Sequence, residues 1–199
     1  MEGRMNMSEF WKNINTYYKR YGLYATIVRI MDKLTGQSRV DYMTWYQKTK
    51  PTKQVLKIQR ETTFPYMPEI LVIVLENKSG FHRLADSLKD QTYSRWKLCK
   101  IRELNDVVEI LKEAKEEYVL ITQPEDELSA DAFFQCVKSL NADRTIEAIY
   151  SDDDIIKNET EYEEPAIKPD LNLDMLRSCN YIHNFLLVKK KLCKELFEE

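Results

Sequence analysis

Two short acidic clusters are the residues of this sequence most able to do chemistry: Glu125-Asp126-Glu127 and Asp152-Asp153-Asp154. The first follows Tyr118-Val119-Leu120-Ile121, an apolar run that reads as a buried strand. Pro124 cannot donate to a sheet ladder, so that strand should end near Thr122–Gln123 and put the carboxylates at its carboxyl end. The second cluster follows Glu147–Tyr150, which reads as another strand. Clustered carboxylates repel one another unless a cation or solvent relieves them, and hard divalent cations take such oxygen ligands. Two acidic turns, each at the carboxyl end of a separate parallel strand, predict a crevice of negative potential, suited to a cation and a phosphate-bearing ligand. The plainer alternative for the first cluster is a solvated turn leading into a helix that begins near Ser129.

The elements that must position these turns are legible in the apolar pattern. Glu69–Leu75 (EILVIVL) is almost continuously apolar, as a central parallel strand covered on both faces would be. Phe81–Asp90 reads as a helix, Trp96–Ile101 as a second strand, Asp106–Glu116 as a helix, Tyr118–Thr122 as the third strand and Ser129–Leu140 as a helix. Strand and helix alternating at this spacing predict an α/β fold: a mostly parallel central sheet with helices on both faces, linked by right-handed crossovers. In such sheets ligands bind beyond the carboxyl ends of the strands. Further on, Ile155–Glu164 reads as a polar excursion, Leu171–Ser178 as a short helix, Phe185–Val188 as a strand and Lys189–Glu199 as a final helix.

The chain has 199 residues, enough for one good-sized domain and an appendage. Hydrophobic residues at 43% and charged residues at 32% argue for a globular protein, and no apolar run approaches the roughly 20 residues of a membrane span. No signal-peptide core is visible at the N-terminus. Cys99, Cys136, Cys179 and Cys193 lie far apart, without a CxxC, which predicts reduced thiols in a cytoplasmic protein and no zinc site. Charge is divided: residues 1–60 hold 12 Lys and Arg against 4 Asp and Glu, and the rest 18 against 29. Ser8 to Tyr21 reads as an amphipathic helix with a largely aromatic face and Leu23 to Leu34 as one with Ile27, Ile30, Met31 and Leu34, both decorated by Lys and Arg. That segment, Ser8–Leu34, either packs on the rest of the protein or lies on an anionic membrane surface. Dispersed Lys and Arg without a binding motif argue against nucleic acid. The stiff Phe64-Pro65-Tyr66-Met67-Pro68 suggests a boundary between a basic helical extension, residues 1–66, and an α/β domain, residues 67–199.

Several short words in this order resemble family 2 glycosyltransferases, and most of all the rhamnosyltransferase-like type of bacterial surface-polysaccharide synthesis. They are Asp86-Ser87-Leu88, Gln91-Thr92-Tyr93 with Trp96, Glu117-Tyr118-Val119, Asp126-Glu127-Leu128, Tyr150-Ser151-Asp152-Asp153-Asp154, Lys168-Pro169-Asp170 and Asn180-Tyr181-Ile182. The resemblance implies a GT-A fold with a Rossmann-like nucleotide-sugar-binding half. It also implies a UDP- or dTDP-linked donor, a divalent cation (Mn or Mg) and a glycan or lipid-linked acceptor at the inner face of the cell membrane. Donor-binding positions would be Asn77, Glu103, Asp152, Asp154 and Lys168, and metal positions Glu125 and Asp126. A cation would offset the charge of the diphosphate leaving group, and a carboxylate base would deprotonate the acceptor hydroxyl. That base is expected beyond Glu199, with the acceptor-side half.

The chain also departs from the family pattern. Val74 and Glu76 stand where Pro and Tyr are usual. Arg102-Glu103 replaces an acidic pair, so one charge is reversed. The metal motif reads Gln123-Pro124-Glu125-Asp126, with Gln in place of the first acid. His183 comes one place early, and Asn184 stands where the family has His. Two functions are therefore open: a sugar-transferring enzyme, or a catalytically inactive relative that binds or scaffolds. An unrelated flavodoxin-like signalling module would share the strand–helix alternation but leaves the later words unexplained.

Overall fold

Strand β1, Ile70–Leu75, is apolar at every position because both of its faces are covered. Ile70, Val72 and Val74 enter one core layer and Leu71 and Ile73 the other, and all five are buried. Burying each such side chain is worth roughly 1.5–3 kcal/mol. The computed structural model describes residues 18, 26–27, 42–75, 81–103, 105–158 and 161–198. Before β1 come helices α1 (Tyr42–Thr49) and α2 (Lys53–Glu61). After it follow α3 (Phe81–Lys89), β2 (Trp96–Ile101), α4 (Asp106–Glu113), β3 (Tyr118–Thr122), α5 (Ala132–Ala142) and β4 (Ala148–Tyr150). The chain ends with β5 (Asp153–Asn158), β6 (Glu161–Ala166), α6 (Leu173–Ser178), β7 (Leu186–Lys189) and α7 (Lys190–Glu198).

One layer packs Leu84 and Leu88 of α3 and Phe133, Cys136, Val137 and Leu140 of α5 on β1 and on Tyr118 and Leu120 of β3. The opposite layer packs Val107 and Leu111 of α4 and Cys193 of α7 on Leu71, Ile73, Val119 and Val188. Period-2 alternation in the strands and 3.6-residue periodicity in the helices produce both layers. The Cys136 thiol, buried in the first, is pushed up to about 12 by loss of solvent, so it stays a neutral packing group.

The five-stranded sheet has the order β2-β1-β3-β7-β4. β1 pairs in parallel with β2 and β3, as expected. β4 is not beside a parallel neighbour: β7 lies between β3 and β4 and runs antiparallel to both. Four strands thus share one direction and the fifth opposes them. The polar excursion expected over residues 155–164 is instead an antiparallel hairpin of β5 and β6, with register shifts near Ile155 and Ile156. Helix α5 starts at Ala132 rather than Ser129 because the preceding turn has other work. The Ser129 carbonyl accepts from Gln91 Nε2 at 2.7 Å and the Ala130 carbonyl from the Thr92 N–H at 2.8 Å.

The chain forms two compact units, Met1–Thr49 and Lys50–Glu199. Within the second, residues before Met67 bond into the α/β layers. Gln59 donates to Asp131 and accepts from Thr92, and the Tyr66 N–H donates to Asn141 Oδ1 at 3.0 Å. In the first unit, the rings of Tyr42 and Trp45 stack with centroids 5.6 Å apart. The helices expected over residues 8–34 lie outside the described residues, save that Tyr18, Thr26 and Ile27 are helical. Among the described residues, no helix is long and apolar enough to cross a membrane.

At the amino end of the sheet, Glu116 is almost fully buried and takes hydrogen bonds from Lys97 Nζ and the Lys115 N–H. Burial alone would raise its pKa. The Lys97 ammonium and the backbone donors outweigh that and hold the carboxyl below its usual range. A depressed folded-state pKa stabilises the fold above the unfolded value and loses that contribution as pH falls through the folded one. Urea denaturation of the wild type should therefore show stability falling from about pH 4 downward, with a shallower acid limb in Glu116→Gln.

Candidate functional site

The register makes the carboxyl ends of the strands level. Leu75 of β1 faces Ile101 of β2, and Val74 faces Thr122 of β3. Through β7, Tyr150 of β4 lies opposite Leu186, so β4 ends at the same edge. Both acidic turns leave from that edge, the first after Thr122 and the second after Tyr150.

Asp126 closes the first turn on itself. Its Oδ2 accepts from Thr122 Oγ1 at 2.7 Å and from the Gln123 N–H at 2.9 Å, and its own N–H donates to the Gln123 carbonyl. Asn184 Nδ2 donates to Oδ1 at 3.3 Å. Glu127 is paired with Arg83 at 3.3 Å and accepts from the Tyr162 hydroxyl of β6 at 2.9 Å. Glu125 is exposed at the tip of the turn.

The second turn is built around Lys168, whose side chain is only 2% exposed. Its Nζ donates to Asp153 Oδ2 at 2.7 Å and to the Ile182 carbonyl at 2.6 Å. Its backbone N–H donates to Asp152 Oδ1 at 2.7 Å. An ammonium removed from water must find such partners, since burying it unpaired would be prohibitive. His183 Nδ1 lies 3.3 Å from the same Asp153 oxygen. His183 has φ 57, a left-handed conformation uncommon outside glycine. Asn180 supports that turn by accepting the His183 N–H at 3.3 Å. Nearby, the Tyr150 hydroxyl donates to the Pro169 carbonyl at 2.8 Å, and the Tyr150 and Tyr181 rings meet edge to face.

Of the residues expected from the sequence, Asp152 and Lys168 come together, and Asp126 reaches them through Asn184 and its neighbour His183. Asp154 enters β5 beside them. Glu103 lies beyond β2, at the opposite edge of the sheet from β4, where its N–H and that of Arg102 donate to Asp106 Oδ2 at 3.1 Å. Asn77 lies outside the described residues. Sequence reasoning missed Arg83, Asp153, Tyr162 and Asn184 as contributors. Asp153 belonged to an acidic word already singled out. Tyr162 carried no local signal.

No protein-family model matches the sequence, and no curated protein matches it. Among solved structures the chain is similar to TarS 1-349 of S. aureus, with 11% identity and a TM-score of 0.45, over 64% of this chain and 49% of that one. It is also similar to the mannosyltransferase PcManGT from Pyrobaculum calidifontis in complex with GDP-Man and Mn2+, with 16% identity and a TM-score of 0.43, over 77% and 53%. The chain spans about half the length of either.

The described residues do not fit the divalent cation that the family resemblance implies. Both oxygens of Asp126 already accept hydrogen bonds from protein donors, and Gln123 is neutral. Among the described residues, no three or more His, Cys, Asp or Glu side chains converge as cation ligands. Asp126 instead shapes the turn. Asp126→Ala leaves the buried Thr122 hydroxyl without its partner, and should cost about 1–3 kcal/mol in urea denaturation. Asn184→Ala, which removes one exposed donor, should cost less than half as much.

Proposed function

We propose that Lys50–Glu199 is the donor-binding half of a glycosyltransferase-like protein of GT-A type, taking a nucleotide sugar across the carboxyl ends of β1, β3 and β4. One observation carries this reading. Three words of the family resemblance, Tyr150–Asp154, Lys168–Asp170 and Asn180–Ile182, are separate in sequence yet share one hydrogen-bonded cluster at the strand ends. Ligands of open α/β sheets bind at that end. The family type would be family 2, the donor UDP- or dTDP-linked, and the acceptor a surface polysaccharide or lipid-linked glycan.

A second reading is a catalytically inactive relative that keeps the fold as a binding or scaffold protein. It is favoured by Asp126, whose oxygens serve the turn, and by Arg102 where the family places an acid. A thermal-shift panel of UDP, dTDP, GDP and CDP separates the two readings. A nucleotide present at about 100 times its Kd stabilises the native state by about 2.7 kcal/mol, which raises the Tm of a domain of this size by about 5–10 °C. One nucleotide should give that shift on the donor-binding reading. A cooperative melt that none of the four moves sinks it.

We also propose, from sequence alone, that the basic aromatic segment Ser8–Leu34 holds the protein at an anionic membrane surface on the cytoplasmic side, near a lipid-linked acceptor. The full chain should float with anionic liposomes at low salt and remain at the bottom of the gradient with neutral ones. A protein that stays at the bottom with anionic liposomes at low salt removes the idea.

A further inference from the structure

Lys168 is the one feature of the strand-end cluster that neither its sequence neighbourhood nor the donor-binding reading requires to be buried. We propose that its ammonium is the resident cation of this site, so that the site holds no divalent metal ion and a diphosphate-bearing ligand binds without one. The ligand half of this proposal rests on the donor-binding reading above.

The argument is one of charge and available oxygens. Asp152 and Asp153 both bond to Lys168, one through its backbone N–H and one through Nζ. His183 shares the Asp153 oxygen that Nζ uses. Nζ is also held by the Ile182 carbonyl, which belongs to the turn carrying His183 and Asn184. Across the gap, Asp126 is satisfied by Thr122, Gln123 and Asn184, and Glu127 by Arg83 and Tyr162. A divalent ion entering here would have to displace these donors. It would also carry charge of the same sign as the buried Lys168 ammonium, which opposes its entry. With Asp153 offset by Lys168, a phosphate approaching the strand ends meets less negative charge than the acidic word alone would present. Lys168 acts through the turns it ties together, and is therefore a positioning residue.

The test is Mn2+ uptake by the full chain, read as loss of the free-ion signal in electron paramagnetic resonance, for wild type, Glu125→Gln and Lys168→Met. The wild type should take up no stoichiometric Mn2+, and Glu125→Gln should not differ from it. Lys168→Met keeps the backbone N–H that Asp152 accepts but leaves Asp153, which shares an oxygen with His183, without its cation, and should gain about one Mn2+ per chain. Stoichiometric wild-type uptake overturns the proposal, as does a cooperatively melting Lys168→Met that gains none. If Lys168→Met does not fold, the wild-type comparison decides. In the nucleotide panel, equal Tm shifts in EDTA and in Mn2+ support the proposal, and a shift that requires Mn2+ overturns it. No shift in either buffer removes the donor-binding reading, and the uptake measurement still decides the cation.

Discussion

Burial of β1 on both faces is the constraint from which the rest of Lys50–Glu199 follows. A strand apolar at Ile70, Leu71, Val72, Ile73 and Val74 cannot leave either face to water. It therefore needs a helical layer on each side, and α3 with α5, and α4 with α7, supply them. Helices that return the chain across the sheet make consecutive strands parallel, and parallel strands in register end level with one another. The edge at which Ile101, Thr122 and Tyr150 give way to polar turns is thus a consequence of how β1 is covered.

The antiparallel β7 turns that edge into a site. By lying between β3 and β4, it delivers the Asn180–Asn184 turn to the gap between the two acidic clusters. Asn184 then reaches Asp126 on one side, while His183 and the Ile182 carbonyl reach Asp153 and Lys168 on the other. The β5–β6 hairpin contributes in the same way, with Tyr162 bonding to Glu127 across from the first turn. Four segments distant in sequence are joined by a continuous series of hydrogen bonds and ion pairs.

Part of the negative charge of this cluster is offset internally, by Arg83 at Glu127 and by Lys168 at Asp153. Acidic residues held this close together repel one another unless donors or a cation relieve them. Here backbone N–H groups, a threonine hydroxyl, an asparagine amide, an arginine and a buried lysine supply the donors. The same hydrogen bonds hold the turns under the donor-binding reading and under the scaffold reading.

The sequence by itself determined the elements whose periodicity reflects burial. Trp96–Ile101 and Tyr118–Thr122 are legible to the residue, and β1, α3 and α7 nearly so, because each turns a regular apolar pattern toward a core. It also determined that two acidic turns leave the carboxyl ends of strands, since Pro124 and the apolar runs mark where the strands stop. Tertiary structure alone decided which strands are neighbours. Nothing local in Leu186–Lys189 says that it pairs antiparallel between β3 and β4, because pairing depends on partners far away in the chain. The β5–β6 hairpin escaped notice because it covers no core, with Ile155 half exposed and Glu161, Glu163 and Glu164 breaking any alternation. The burial of Lys168 was equally invisible: a lysine is ordinarily solvated, and only the convergence of Asp153 and the Ile182 carbonyl makes its place in the interior tolerable.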